Sequence, residues 1–239
     1  MSGIVKSFFG SVRYLASFLV PHKVEEIKSE VSGKLEVYYS NGQYLLDTTS
    51  VNYSFGGLHT IFQKAFARFK IKDRDIKNVL ILGFGSGSVA SILQKEYGKE
   101  VAITGVEKDE AVIQLAKKYF SVDQYKNLSL ECADAYDYVV GSGDGTYSVS
   151  TQYDMIVVDV FVDLLVPEKV QGENFITSLN KLLSPNGILF YNYIARSDKT
   201  RDAGAKLYKN LTNLIGNTEW VRLFARSTEN WVFVCDRGS

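Results

Sequence analysis

A glycine-rich run and a later acidic residue are the best-placed candidates for chemistry in this chain of 239 residues. Gly83, Gly85 and Gly87 follow an apolar run and precede a helical pattern. Residues without a Cβ atom let the backbone bend sharply and let a ligand approach it closely. Glu107 comes 24 positions after Gly83, at the end of the next predicted strand, where a carboxylate can accept hydrogen bonds from both hydroxyls of a ribose. The glycine run and Glu107 together predict a site for a nucleoside-containing cofactor.

The spacing of the glycines indicates which kind of nucleoside would bind. A dinucleotide-binding fingerprint has glycines at its first, third and sixth positions. Here the third glycine, Gly87, occupies the fifth position, and Ser88 occupies the sixth. Acids also follow the next two predicted strands, Asp134 after the third and Asp159 after the fourth. Three carboxylates at one crevice suit an adenosine that carries a positive sulfonium better than an anionic pyrophosphate.

The elements that must position these residues alternate along the chain from residue 78 onward. Continuous apolar strands separated by helices are typical of a parallel sheet that is covered on both faces. We therefore predict an α/β fold with a doubly wound, mostly parallel sheet of the Rossmann-like kind. The strands are expected at residues 79–82, 101–106, 128–132, 155–159 and 187–193, the helices at 88–97, 110–119, 173–183 and 202–215, and a closing strand pair at 220–225 and 231–235.

The residues before this alternation follow a different pattern. Asn41 and Gly42 separate two alternating runs within residues 34–47, a strong signal for a β-hairpin because both turn residues tolerate positive φ. Apolar residues recur at helical spacing in residues 1–20 and on one face of residues 57–69. We expect an N-terminal helix and β-hairpin extension over residues 1–56 and a Rossmann-like cofactor-binding domain over residues 57–239.

Composition narrows the classes of function. The 27 basic and 27 acidic side chains balance, so nothing indicates the basic surface of a nucleic-acid-binding domain. Two histidines and two cysteines are too few for a histidine-rich or cysteine-built metal site, and no metal ligand is predicted. Cys132 falls in a predicted strand, where we expect a buried thiol. The two isolated cysteines favour a reducing, cytoplasmic location.

The apolar residues of segment 1–20 raise the question of a membrane. Lys6 and Arg13 interrupt the stretch and leave it too short to span a bilayer, so no stable membrane insertion is expected. An aromatic-rich basic helix can still lie on a membrane surface. It can also pack on its own domain or on a partner subunit, which leaves a homodimer as an open alternative.

Residues 78–193 resemble the class I S-adenosylmethionine-dependent methyltransferase domain and, within it, the spermidine synthase-like branch. The resembling motifs lie at residues 79–87, 105–109, 133–135 and 153–159. The end of the hairpin, Tyr44-Leu-Leu-Asp47, is similar to the β-rich extension of polyamine synthases. The resemblance covers about residues 34–195.

The resemblance implies a role for each matching residue. Gly83, Gly85 and Gly87 would line the amino-acid tail of S-adenosylmethionine or of its decarboxylated form, and Glu107 would hold the ribose. Asp134 would meet the adenine amino group. Lys108 and Ala135, which follow these two acids in the matching motifs, are also implied as cofactor-binding residues.

The sequence departs from aminopropyltransferases where that family binds its polyamine. Aminopropyltransferases carry Asp-Ser-Ser/Thr-Asp-Pro after the fourth strand, whereas this chain has Asp159-Val-Phe-Val-Asp163, with the second acid one position later. Val51 stands where a glutamine is expected, and the acids and tyrosine that hold a polyamine are replaced around residues 52–57. Each ammonium group needs a carboxylate to offset its desolvation. These departures make a polyamine acceptor the less favoured interpretation.

We therefore expect an S-adenosylmethionine-dependent transferase, with methyl transfer to a small acceptor favoured. The loop at residues 160–167 is mostly apolar, which indicates an acceptor with an apolar body. Asp159 and Asp163 are the candidate catalytic residues, Asp159 as general base or orienting group; a structural, helix-capping role for either stays open. Tyr191 and Tyr193 are expected in the core. Two alternatives remain: aminopropyl transfer from decarboxylated S-adenosylmethionine, and a cofactor-binding protein without turnover.

Overall fold

The computed structural model describes residues 14–48, 52–54, 57–144, 152–162, 164–225 and 228–238. Its larger sheet has seven strands: β5 (Asn78–Leu82), β6 (Ala102–Glu107), β7 (Leu128–Cys132), β8 (Tyr153–Val158), β9 (Leu183–Ile194), β10 (Thr218–Ala225) and β11 (Thr228–Asp236). Their order across the sheet is β10-β11-β9-β8-β5-β6-β7. Strands β5 to β9 pair in parallel, and β11 pairs antiparallel with both β9 and β10.

Helices cover both faces of this sheet. They are α1 (Gly57–Arg68), α2 (Ser88–Ser91), α3 (Glu110–Phe120), α4 (Ala135–Asp144), α5 (Glu168–Gln171), α6 (Glu173–Leu182) and α7 (Asp198–Leu214). Val79 and Ile81 of β5 face a cluster with α1, α2 and α3, while Leu80 and Leu82 face a cluster with α4, α6 and α7. Because both of their faces are buried, the central strands β5 and β8 are nearly continuous apolar runs. The predicted doubly wound α/β fold is confirmed.

A second, antiparallel sheet precedes the larger one. It consists of β1 (His22–Ser29), β2 (Gly33–Ser40), β3 (Gln43–Thr48) and β4 (Asn52–Ser54), in chain order. The hairpin of β2 and β3 is confirmed, with φ of 51° at Asn41 and 73° at Gly42. β1 and β4 were not predicted. Half of β1 is charged residues, and β4 has only three residues, so neither carries a clear apolar alternation.

The predicted N-terminal helix falls mostly on residues 1–13, which lie outside the described residues. Residues 14–16 are helical, and Ser17 contacts the hairpin turn, where its hydroxyl accepts a hydrogen bond from Gly42 N at 3.0 Å. Leu15, Phe18 and Leu19 are exposed in this segment. In the described part of the chain, no helix combines the length and apolar character that crossing a bilayer requires.

Two predicted helices differ from the structure for local reasons. Helix α7 begins at Asp198, four residues earlier than expected, because Ser197 and Thr200 form a capping box. The helix predicted at 88–97 consists of α2 followed by one π-helical turn, Ile92–Glu96.

One of the side chains predicted to be buried in the larger sheet is exposed. Cys132 is exposed, because β7 is the edge strand of the larger sheet and only part of its surface is covered. Cys235 is buried in β11, and Tyr191 and Tyr193 are buried in β9 as expected. At the opposite edge, Trp220 of β10 meets Trp231 of β11 edge-to-face, with ring centroids 5.0 Å apart.

Candidate cofactor and active site

A cavity of about 750 Å³ opens at the carboxyl ends of the parallel strands. This end of an open parallel sheet is where ligands bind in such folds. The turn segment at residues 30–33, which runs from the end of β1 to the first residue of β2, forms part of the wall. The loops after β5, β6, β7 and β8 form most of the rest, with further residues from β3, α1, α2 and α5. The structure brings seven of the predicted residues into this wall: Gly83, Gly85, Glu107, Lys108, Asp134, Ala135 and Asp159.

The glycine turn after β5 is shaped by close backbone approaches. Gly83 has φ of +83°, and a Cβ atom there would lie 2.2 Å from the carbonyl oxygen of Asp159. Only glycine fits that position. Gly87 does not line the cavity: its φ is +87°, it precedes α2, and a Cβ would lie 2.9 Å from Cγ1 of Val122. The structure thus gives Gly87 a role in the turn, and its predicted contact with the cofactor stays a prediction.

Glu107, the last residue of β6, is buried and lines the cavity. Its Oε2 accepts a hydrogen bond from Gly85 N at 2.9 Å, and its Oε1 accepts one from Asp109 N at 3.1 Å. Burial raises the pKa of the carboxyl, and these two backbone donors act against that rise. Each oxygen has a second acceptor position. Glu107 is therefore fixed in orientation and still able to accept hydroxyl donors.

Asp134, after β7, lies between two lysines. Its Oδ1 accepts hydrogen bonds from Lys169 Nζ at 2.7 Å and from Tyr136 N at 3.0 Å, and its Oδ2 lies 3.2 Å from Lys108 Nζ. Burial favours the neutral acid, but the two ammonium groups outweigh it and lower the pKa of Asp134. Lys169 was not predicted, because it belongs to the four-residue helix α5 and to no motif.

Asp159 follows β8 and faces the cavity next to Asn192. Asn192 Nδ2 donates a hydrogen bond to Asp159 Oδ1 at 2.9 Å. Burial raises the pKa of Asp159 to about 7; the Asn192 donor lowers it, and the negative charge of Glu107 adds to the rise. Asn192 is fully buried, and its Oδ1 has no hydrogen-bond partner among the described residues. Sequence reasoning missed Asn192, although an asparagine inside an apolar strand was a usable signal.

The wall next to Asp159 is apolar, as the sequence indicated. Val160, Phe161 and Val162 line the cavity, and Val162 pairs with Leu165 through two backbone hydrogen bonds. Asp163, the second predicted catalytic acid, lies outside the described residues. Among the residues that are described, no three histidine, cysteine, aspartate or glutamate side chains form a set that could hold a metal ion.

This strand order, with acids after three successive parallel strands, is that of the class I S-adenosylmethionine-dependent methyltransferase-like fold. A solved spermidine synthase in complex with the transition state analogue AdoDATO has the same fold, with a TM-score of 0.70 over 90% of this chain and 74% of that chain, at 14% identity. The spermine/spermidine synthase domain model matches residues 62–198. The chain belongs to the spermine/spermidine synthase domain family.

Relatives of this chain are named as two kinds of transferase. A probable polyamine aminopropyl transferase of Bifidobacterium longum is 29% identical over 153 residues, which are 64% of this chain and 32% of the relative. An eEF1A lysine and N-terminal methyltransferase homolog of Drosophila melanogaster is 25% identical over 135 residues, which are 54% of this chain and 19% of the relative. The chain thus spans about a third of the length of the first relative and about a fifth of the length of the second. Both kinds of name describe transferases.

Proposed function

We propose that this chain is an S-adenosylmethionine-dependent transferase that moves a methyl group to a small acceptor with an apolar body. The observation that carries the proposal is the position of Asp159. This carboxyl faces the same cavity as Glu107, has no ion-pair partner among the described residues, and adjoins the apolar side chains of Val160 and Phe161.

The cavity residues fit an adenosyl cofactor. Gly83 and Gly85 bring bare backbone to the wall, where the amino-acid tail would lie. Glu107 is oriented by two backbone donors and can accept both ribose hydroxyls. Asp134 would receive the adenine amino group. AdoDATO, bound to the spermidine synthase of the same fold, is in line with a ligand of this type.

The proposed chemistry is an in-line displacement at a carbon next to a sulfonium, which the cofactor supplies when bound. Alignment of the two reactants gives most of the acceleration in such a reaction. Asp159 would remove the proton of the acceptor nucleophile or orient its lone pair. A carboxyl with a pKa near 7 suits proton transfer at neutral pH, and the Asn192 amide keeps it pointed in one direction.

Aminopropyl transfer from decarboxylated S-adenosylmethionine is the second candidate. The family match and the Bifidobacterium relative favour it. A polyamine acceptor brings several ammonium groups, each of which needs a carboxylate. In the described cavity wall, Asp134 is paired with lysines and Glu107 with backbone donors, so Glu30 and Asp159 are the carboxylates left for an acceptor. This is the physical reason for preferring methyl transfer.

Calorimetric titration with S-adenosylmethionine, its decarboxylated form and methylthioadenosine separates the candidates. Tighter binding of S-adenosylmethionine supports methyl transfer. Tighter binding of the decarboxylated form, together with product from putrescine, would replace our first choice with the second. Binding without transfer to any tested acceptor would favour a cofactor-binding protein without turnover, and absence of binding would contradict all three.

Two further assignments stay predictions. We propose a cytoplasmic location on the basis of the two free thiols, Cys132 and Cys235. Thiol counting under denaturing, non-reducing conditions should find both reactive. A homodimer remains an open alternative, to be tested by light scattering.

A further inference from the structure

Ser29, the last residue of β1, connects the smaller sheet to the cofactor side of the larger one. Its hydroxyl donates a hydrogen bond to Asp109 Oδ2 at 2.5 Å. Ser29 Oγ also accepts hydrogen bonds from Val31 N at 3.0 Å and Ser32 N at 3.1 Å. A serine hydroxyl has one donor and two acceptor positions, so all three are used. Ser29 and Asp109 are both buried.

Asp109 continues these contacts into the candidate cofactor site. Its Oδ1 accepts a hydrogen bond from Ala111 N at the start of α3, while its backbone N donates to Glu107 Oε1. Glu107 in turn accepts from Gly85 N. One buried series of hydrogen bonds therefore runs from Ser29 through Asp109 and Glu107 to Gly85, between elements that are distant in the sequence.

The two amides that Ser29 holds belong to the turn between β1 and β2. Residues 30–33 of this turn line the cavity together with Glu107 and Lys108. Val31 is 50% exposed, so apolar packing gives the turn little support at that point. The hydroxyl of Ser29 is thus a main attachment of the turn to the site that it adjoins.

We infer that Ser29 is a positioning residue: it fixes the turn at residues 30–33 as a cover over the cofactor cavity and aligns that cover with Glu107. The inference rests on the proposed function. A fixed cover slows dissociation of a bound ligand more than it changes association, because affinity differences between related complexes lie mostly in the dissociation rate. Ser29 touches neither reactant in this scheme, and its effect reaches the ligand through the turn and through Glu107.

The test compares Ser29→Ala with Ser178→Ala. Ser178 is also a buried serine, but it lies on α6 and does not line the cavity. The probe is S-adenosylhomocysteine, with Kd from calorimetry and the dissociation rate from stopped-flow displacement. We expect Ser29→Ala to release the probe about tenfold faster, with association changed less than twofold, and Ser178→Ala to match the wild type. Melting temperatures of both variants record any general loss of stability.

Hydrogen exchange on the ligand-free proteins gives a second, independent measurement. In Ser29→Ala, the amides of residues 30–33 should exchange faster, while peptides from α6 should not change. Wild-type dissociation rates in Ser29→Ala, or unchanged exchange in the turn, would overturn the inference and leave the proposed function standing. If the wild type binds neither S-adenosylhomocysteine nor S-adenosylmethionine, the proposed function fails and the ligand-retaining role of Ser29 fails with it.

Discussion

Two carboxyl groups in one cavity, the buried Glu107 and the half-buried Asp159, differ in what surrounds them. Glu107 accepts hydrogen bonds from two backbone amides, which fix its orientation. Asp159 has a single amide donor, from Asn192, and a pKa of about 7. Burial raises the pKa of both carboxyls, so the difference between them lies in their hydrogen-bond donors. The first acid is suited to binding, and the second is suited to proton transfer.

Replacing Glu107 by alanine should weaken cofactor binding. Two ribose hydroxyls would lose their shared acceptor, and loss of the two hydrogen bonds costs on the order of 1.5–3 kcal/mol, roughly a tenfold to hundredfold increase in Kd. Calorimetric titration with S-adenosylmethionine measures this change in Kd. The matched control is Glu100→Ala, which removes an exposed acid just before β6, at the opposite end of the strand from Glu107. An unchanged Kd in Glu107→Ala would contradict the ribose assignment, and equal or tighter binding of NAD would show that the glycine spacing was misinterpreted.

Replacing Asp159 by asparagine keeps the shape of the side chain and removes its charge. Cofactor affinity should change little, whereas turnover with an identified acceptor should fall by about 10²–10⁴ if the carboxylate is a base. In the wild type, kcat/KM should rise with pH through about 7, as Asp159 loses its proton. This rise should be missing in Asp159→Asn.

Asn192→Leu provides the contrast. It removes the donor that lowers the pKa of Asp159, so the rise in kcat/KM should move to higher pH. The rise itself should persist, because the Asp159 carboxylate is still present. A loss of turnover below tenfold in Asp159→Asn would mean that the carboxyl only positions the acceptor or supports the structure.

At this scale the sequence identified the acids but not their partners. Acids at strand ends can be found from the strand pattern alone, because the pattern places each strand end. Asn192 and Lys169 come from elements 33 and 35 residues away from the acids that they contact, Asp159 and Asp134. Such contacts depend on register and on the placement of a short helix, and neither has a local signal.

At the scale of elements, the turn after β5 depends on Gly83. Gly83→Ala should destabilise the protein by about 2–4 kcal/mol, because the added Cβ would overlap the backbone of Asp159 in addition to the cost of a positive φ. Gly98→Ala is the matched control: its φ is also positive, +65°, but no heavy atom lies within 4 Å of the Cβ position. Urea unfolding of both variants measures the difference. Equal destabilisation would mean that the close approach to Asp159 is unimportant.

The elements that could be predicted are those with strong local patterns. The five apolar strands, the Asn41-Gly42 hairpin and the amphipathic helix α1 were found within a few residues. The exposure of Cys132 was missed because the position of β7 at the sheet edge follows from strand order. Strand order is a property of the whole sheet, and no single strand records it.

At the scale of the whole molecule, the pKa of Asp159 links stability to pH. Folding raises this pKa from about 4 to about 7, so between these values the folded state holds a proton that the unfolded state releases. The stabilising contribution is present below pH 4 and is lost as the pH rises through 7. The free energy of unfolding of the wild type, relative to Asp159→Asn, should therefore fall by on the order of 2 kcal/mol between pH 5 and pH 8.

Urea unfolding of both proteins at the two pH values measures this difference. The variant is needed as the reference because other acids, such as Asp134 and Asp236, have lowered pKa values and change stability with pH in the opposite direction. A wild-type to variant difference that stays constant with pH would show that Asp159 titrates normally in the folded protein.

The division of the chain into residues 1–56 and 57–239 stays a prediction at this scale. The two sheets share one apolar cluster, in which Leu35 and Val37 of β2 pack together with residues of α1 and α3. Limited proteolysis is the direct test of whether the two parts unfold separately.

The edge-to-face tryptophan pair has a spectroscopic consequence. Trp220 and Trp231 are the two tryptophans of the chain, and both belong to the strand pair at the edge of the larger sheet, outside the cavity wall. Tryptophan fluorescence should therefore report unfolding of that strand pair and change little when a nucleoside binds in the cavity. Two indoles with centroids 5.0 Å apart should also couple their excited states and give a paired positive and negative band in circular dichroism. That optical signature should disappear when either indole is replaced by phenylalanine.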